Sequence, residues 1–350
     1  MRTRWTTTLA VLLSVTAAAA CGGDSGSDTA RSTTAAAGGG GDVVAALPAA
    51  ELALVAYSTP QEAYDQITKA FSKTPQGRNI TFAKSYGSSG DQSRAVESGL
   101  TADVVAFSLE PDMTRLVNKG LVAADWNTGE HKGMITESLS VFVVRKGNPK
   151  KIKAWADLVK PGVEVLTPNP FTSGGARWNV MAAYGQASAG DKIEADGISY
   201  LEKLFANVAV QDDSARKSLQ TFTSGKGDVL LAYENEAIFA QRKNQPIDYV
   251  VPDDTILIEN PVAVTASSKH PEQAKAFVEY LQGAQAQAIF AKNGYRPVLD
   301  GVKAPYDFPK PSALFDITTF GTWADVSKRF FDPAGSVMAD VERKIGVSVG

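Results

Sequence analysis

Cysteine occurs once in this 350-residue chain and histidine twice, at His131 and His270, far apart in sequence. A single thiol excludes an intrachain disulfide framework, and two isolated imidazoles exclude Cys/His zinc sites. Charge of one sign is missing too: 35 Lys and Arg stand against 38 Asp and Glu, a formal net charge of -3. Neither nucleic acid nor an anionic membrane surface is then an obvious partner, and any anion site has to be local. P-loop, G-x-G-x-x-G, H-E-x-x-H and G-x-S-x-G patterns do not occur. The sequence therefore calls for no cofactor, no metal and no catalytic residue. What remains, 44% hydrophobic and 21% charged, is ordinary globular material, enough for two domains with real cores.

The lone cysteine has a telling position. Arg2 and Arg4 form a basic start, Leu9-Ala-Val-Leu-Leu-Ser-Val-Thr is a short apolar run, and Ala17-Ala-Ala-Ala-Cys21-Gly-Gly follows. The apolar run is too short for a stable membrane span. The pattern resembles a bacterial lipoprotein signal over residues 1–20, with Cys21 as the lipidated first residue, although Ala18 stands where Leu is usual. An ordinary secretory signal that leaves Cys21 a spare thiol is the other reading. After it, Gly22 to Asp42 carry no large apolar residue and cannot bury enough surface to offset ordering entropy. Residues 21–50 are expected to be a tether holding a monomeric body at the outer face of the membrane.

From Glu51 onward short apolar runs alternate with helical patterns. The expected strands are Leu52–Tyr57, Asn79–Tyr86, Asp103–Phe107, Leu139–Arg145, Val163–Thr167, Val208–Val210, Val229–Tyr233, Asp248–Val251 and Val262–Thr265. Such alternation predicts an α/β fold with mostly parallel sheets flanked by helices. The runs at 139–145 and 262–265 are suited to crossing between two lobes, 51–140 with 263–350 and 141–262.

Several strands are followed by the same kind of turn. Ser58-Thr59-Pro60 leads into a helical pattern at Gln61–Phe71, and Gly87-Ser88-Ser89-Gly90 leads into Asp91–Ser98. The fullest example is Asn169-Pro-Phe-Thr-Ser-Gly-Gly-Ala-Arg-Trp-Asn179, before a helix expected over Ala176–Gln186. Ser and Thr cap helices, and glycine lets backbone N–H groups approach a ligand with no Cβ in the way. Each turn alone fits an ordinary cap. Together they suggest a shared site, because ligands of open α/β sheets bind beyond the carboxyl ends of strands, where helix N-termini favour anions.

Tyr86-Gly-Ser-Ser-Gly-Asp-Gln92, Thr101-Ala-Asp-Val-Val105, Ser173-Gly-Gly-Ala-Arg-Trp-Asn179, Gly227-Asp-Val-Leu-Leu-Ala-Tyr-Glu-Asn-Glu-Ala237 and Asn293-Gly-Tyr-Arg-Pro297 resemble the sulfate-binding receptors of bacterial ABC transporters. The resemblance runs from about Leu54 to the C-terminal helix. It implies a two-lobed, type II periplasmic-binding-protein fold that closes around a dehydrated tetrahedral dianion and delivers it to a permease driven by a separate ATPase. It also implies a ligand set: backbone N–H groups at Ser58, Ser89, Ser173, Gly174, Gly175 and Ala215, and a side-chain donor at Tyr233. Tyr233 stands where the family has a tryptophan indole, and Ser58 where it commonly has Asp. An indole only donates, whereas a phenol also accepts.

Other tetrahedral oxyanions, such as thiosulfate or molybdate, stay open as ligands. Arg177, Arg216 and Arg296 adjoin these motifs; guanidinium groups beside such loops usually brace the turn by pairing with carboxylates, so all three are left off the anion. Trp178 is expected to pack between helix and sheet. The enzyme reading rests on Ser214-Ala-Arg-Lys217, an S-x-x-K match to penicillin-interacting serine enzymes, with neither S-D-N nor K-T-G elsewhere. Asp212-Asp213 and Asp253-Asp254 read as solvated surface or caps.

Overall fold

The computed structural model describes residues 45–347 and Val349. The signal-like segment, Cys21 and the tether up to residue 44 lie outside the described residues.

The chain begins as strand β1 (Ala50–Tyr57), whose Leu52, Leu54 and Ala56 are fully buried. Helix α1 (Gln61–Phe71) follows, burying Ala63, Tyr64, Ile67 and Phe71 on one face, the 3.6-residue spacing of a surface helix. Then come β2 (Ile80–Gly87), α2 (Ser89–Glu97), β3 (Val104–Ala106) and α3 (Glu110–Asn118). The long β4 (Met134–Arg145) leads through α4 (Trp155–Leu158) to β5 (Val165–Leu166), α5 (Gly174–Ala187), α6 (Glu194–Ala206), β6 (Val208–Val210), α7 (Ala215–Thr223), β7 (Val229–Tyr233), α8 (Glu234–Arg242), β8 (Ile247–Val250) and β9 (Asp254–Val264). The chain ends with α9 (Pro271–Gln282), α10 (Ala284–Lys292), β10 (Arg296–Pro297), β11 (Ala313–Phe315), α11 (Trp323–Phe331) and α12 (Val337–Lys344).

The strand order is β2-β1-β3-β9-β4-β7-β5-β6, with β8 also on β4. β1 is parallel to β2 and β3, and β5 is parallel to β6 and β7. The two halves meet through the long antiparallel strands. β9 pairs with β3 at Val262–Val264 and with β4 at Leu257–Pro261; β4 changes partner between Leu139, opposite Leu257, and Ser140, opposite Tyr233. The fold is thus an α/β type with a mixed sheet flanked by helices, two half-sheets joined by crossing strands.

Both crossing strands begin earlier than the sequence pattern indicates. In β9 the polar pair Glu259-Asn260 and Pro261, which has no N–H to give a ladder, hide the apolar residues before them. The C-terminal stretch divides in its packing. α9 and α10 place Ala274, Phe277, Leu281 and Phe290 against β1 and α1, whereas Val326, Phe330, Met338 and Val341 join Tyr184 and Phe205 in the core of the other half. No helix among the described residues is long and apolar enough to cross a membrane.

Candidate functional site

Six strands end at one place. Behind β1, β2, β3, β5, β6 and β7 come the turns carrying Ser58, Ser88–Ser89, Ser108, Ser173–Gly175, Ser214–Ala215 and Tyr233, and all of these residues line a single small cavity together with Tyr57, Thr59 and Gly87. The seven residues expected at the site, Ser58, Ser89, Ser173, Gly174, Gly175, Ala215 and Tyr233, are therefore brought together from both half-sheets. The cavity is small, with ≈ 220 Å³ of space between atoms including its mouth, against ≈ 1250 Å³ for the open hollow beside Lys69 and Tyr280. That suits a small ion better than an organic molecule. No lysine, arginine, aspartate or glutamate lines it.

Three helices start at the cavity wall. Ser89, Gly174 and Ala215 are the first residues of α2, α5 and α7, with Ser88, Ser173 and Ser214 as N-caps. N–H groups in the first turn have no partner within their helix, so each terminus offers donors and the positive end of a dipole. Helix α5 starts two residues before its predicted first residue and adds Gly174 and Gly175 to that turn.

The glycines do different jobs. A Cβ on Gly174 would stand 2.5 Å from Leu109 Cδ2 and 2.8 Å from Ser108 Cβ and Oγ, so only glycine lets α5 approach the turn after β3. A Cβ on Gly175 would meet Ala215 Cβ at 3.4 Å and Tyr233 Cε1 at 3.5 Å, ordinary contacts inside the cavity.

One expected donor changes character. The Ser173 N–H donates to the Asn169 carbonyl at 2.9 Å, so its backbone donor is already taken. Its hydroxyl accepts from the Ala176 N–H at 3.4 Å as the helix cap, which leaves the hydroxyl proton for a ligand. At Ser89 the roles are reversed. Its hydroxyl donates to Asp112 Oδ2 (2.6 Å) and accepts from the Ser108 N–H (2.9 Å), leaving the backbone N–H as the group it can offer.

Ser108 escaped the sequence reading because its turn, Phe107-Ser-Leu-Glu-Pro111, contains no glycine. The position after a strand and before a helix was its available signal. Its hydroxyl hydrogen-bonds the Tyr233 hydroxyl at 2.6 Å, and its carbonyl accepts from Trp178 Nε1 and Asn260 Nδ2, both at 2.9 Å. Burial raises the Tyr233 phenol well above its ordinary range, so it stays neutral and keeps its proton. Trp178, 1% exposed, stacks edge-on against Trp323 with ring centres 4.8 Å apart. Its indole thus fastens α5 both to α11 and to the Ser108 turn.

The arginines brace the site from outside. Arg216 holds Glu236 through Nε (2.9 Å) and Nη2 (2.7 Å) and donates to the Thr59 carbonyl at 2.7 Å. Arg296 pairs with Glu234 at 2.7 Å, and Arg177 Nε donates to the Pro170 carbonyl at 2.9 Å. In the S-x-x-K match, Ser214 Oγ accepts from the Lys217 N–H as a cap while Lys217 Nζ turns outward to Asp213. The amine is thus not placed as a base for the hydroxyl. Asp212 accepts from Thr221 at 2.9 Å.

The profile of the bacterial extracellular solute-binding proteins matches residues 52–296. The chain belongs to that family. This solute-binding protein is 43% identical to the sulfate-binding protein of Synechococcus elongatus over 298 residues, 81% of its own length and 85% of the relative's. It is 36% identical over 305 residues to the thiosulfate-binding protein of Pseudomonas aeruginosa, with 83% and 92% covered. Among solved structures, the sulfate-binding protein SubI of Mycobacterium tuberculosis superposes with a TM-score of 0.79 at 42% identity, covering 81% of this chain and 99% of that one. The two-lobed, type II architecture expected for the receptor is the one these neighbours share with it.

Proposed function

We propose that the protein captures sulfate outside the cytoplasmic membrane and delivers it to an ABC permease powered by a separate ATPase. The observation that carries this reading is the small cavity itself, with three helix N-termini and several hydroxyls converging on it and no charged side chain in its wall. Sulfate is acceptor-only at neutral pH. The N–H groups of Ser58, Ser89, Gly174, Gly175 and Ala215 and the hydroxyls of Ser173 and Tyr233 would satisfy its oxygens with dipoles that need no reorganisation. Neutral donors also let the dianion leave when the lobes part. Closure of the lobes, with α9 and α10 moving with the first half and α11 and α12 with the second, would be the signal the permease reads.

The protein acts in this reading as a monomeric receptor with no catalytic residue, held at the outer membrane face by a lipid on Cys21. Phosphate keeps a proton at neutral pH that a donor-rich wall leaves poorly paired, so sulfate should bind about tenfold better or more, roughly 1.4 kcal/mol. The thiosulfate-binding relative at 36% identity makes thiosulfate the competing ligand. A calorimetric panel of sulfate, thiosulfate, molybdate, tungstate and phosphate tests the reading. Sulfate should be the tightest; no binding by any oxyanion would sink it.

A further inference from the structure

The hydroxyls around the cavity are unequal in what they have left to offer. Ser88 donates its proton to Asp91, Ser89 donates to Asp112, and Ser173 and Ser214 accept from their helices as caps. Thr59 is bonded to Tyr295 at 3.1 Å, and the buried Tyr57 hydroxyl has no partner among the described residues. Ser108 and Tyr233 have each other, at 2.6 Å, with either oxygen able to be the donor.

Two hydroxyls carry two protons. One lies in the bond between them, so a single proton faces outward together with free lone pairs, and the direction of the internal bond can reverse. The Ser108 backbone cannot shift to spoil this. Its N–H is held by Ser89 Oγ, and its carbonyl by Trp178 on α5 and Asn260 on the crossing strand β9. Asp112, which receives the Ser89 proton, is itself held by Arg115 at 3.0 Å.

We propose that the Ser108–Tyr233 pair is the element that sets how far the cavity discriminates against protonated tetrahedral anions. Against sulfate the pair donates its outward proton. Against hydrogen phosphate it accepts the ligand's P–OH on one oxygen while still donating from the other, a service the backbone N–H groups cannot perform. Ser108 thereby becomes a specificity-determining residue of the site. This rests on the receptor reading above.

The test is Ser108→Ala, Tyr233→Phe and the double variant, with sulfate and phosphate affinities measured by calorimetry at pH 7.5. Removing both hydroxyls together leaves neither end of their bond unpaired, and Asn260, which also stands beside the Tyr233 hydroxyl, keeps its bond to the Ser108 carbonyl, so the double variant should keep the fold; a melting curve without ligand checks it. In the double variant the phosphate-to-sulfate Kd ratio should rise about fivefold to 150-fold above that of the parent, the span of leaving one buried proton unpaired. Each single variant retains one two-way hydroxyl and should shift the ratio less. A double variant that binds sulfate at an unchanged or smaller ratio overturns this assignment alone. A folded parent that binds neither anion overturns the receptor reading, and this one with it.

Discussion

Gly175→Ala separates the fold from the site. Gly175 lies in the first turn of α5, where alanine is favoured over glycine by about 0.5–1 kcal/mol. The added methyl would meet Ala215 Cβ at 3.4 Å, Ser173 Oγ at 3.5 Å and Tyr233 Cε1 at 3.5 Å, so the protein itself accommodates it. All three neighbours line the cavity, and the space there is only ≈ 220 Å³. An anion resting on the start of α5 is pushed away from the N–H groups of Gly174 and Gly175. A hydrogen bond to a charged group contributes roughly 1.5–3 kcal/mol, so losing one weakens Kd about 10-fold to 150-fold. Calorimetry with sulfate should show that loss, while the melting temperature without sulfate stays level or rises. Binding within twofold of the parent, with the fold intact, would place the anion elsewhere. Gly174 is the poorer probe, since any side chain there strikes Leu109 and Ser108 before it reaches a ligand.

Other outcomes follow from the surroundings of the site. Arg216→Ala leaves the Glu236 side chain, 1% exposed, without its guanidinium, and should cost about 3–5 kcal/mol in urea unfolding; a loss under 1 kcal/mol would mean the pair does not brace the turn. Burial raises the Glu342 carboxyl above its ordinary range, and one of its oxygens has no partner. Between the unfolded value and that raised one the native carboxyl binds more protons than the unfolded chain does, so stability falls as pH rises through that window. Glu342→Gln should accordingly raise the melting temperature more at pH 7 than at pH 4, and an equal gain at both would refute the sign. Cys21→Ser should move the protein from the membrane pellet to the soluble fraction if a lipid on that sulfur is the anchor.

The turns were legible before the fold because each states its own physics: a run of apolar residues ends, a hydroxyl or glycine follows, and a helical pattern begins. That logic pointed to the turns at Ser58, Ser89, Gly174 and Gly175, and the family resemblance added Ala215 and Tyr233; the fold brings all six to one cavity. It could not say which group each residue presents. Whether Ser173 offers its N–H or its hydroxyl depends on the Asn169 carbonyl lying 2.9 Å away, a property of the folded loop. Ser108 was missed because no glycine follows the strand before it and its turn, Phe107-Ser-Leu-Glu-Pro111, looks like an ordinary loop. The packing of α11 and α12 against Tyr184 and Phe205 was likewise invisible, since an amphipathic helix states that it has a buried face but not which core receives it.

A dianion held in this cavity by neutral donors is what the function turns on. Crystals grown with selenate, which has sulfate's shape and charge and scatters anomalously, test it directly. One strong selenium peak is expected, enclosed by Ser89, Gly174, Gly175, Ala215 and Tyr233, with backbone N–H groups and hydroxyls as its contacts. A peak outside this cavity, or one held by a lysine or arginine side chain, would contradict it.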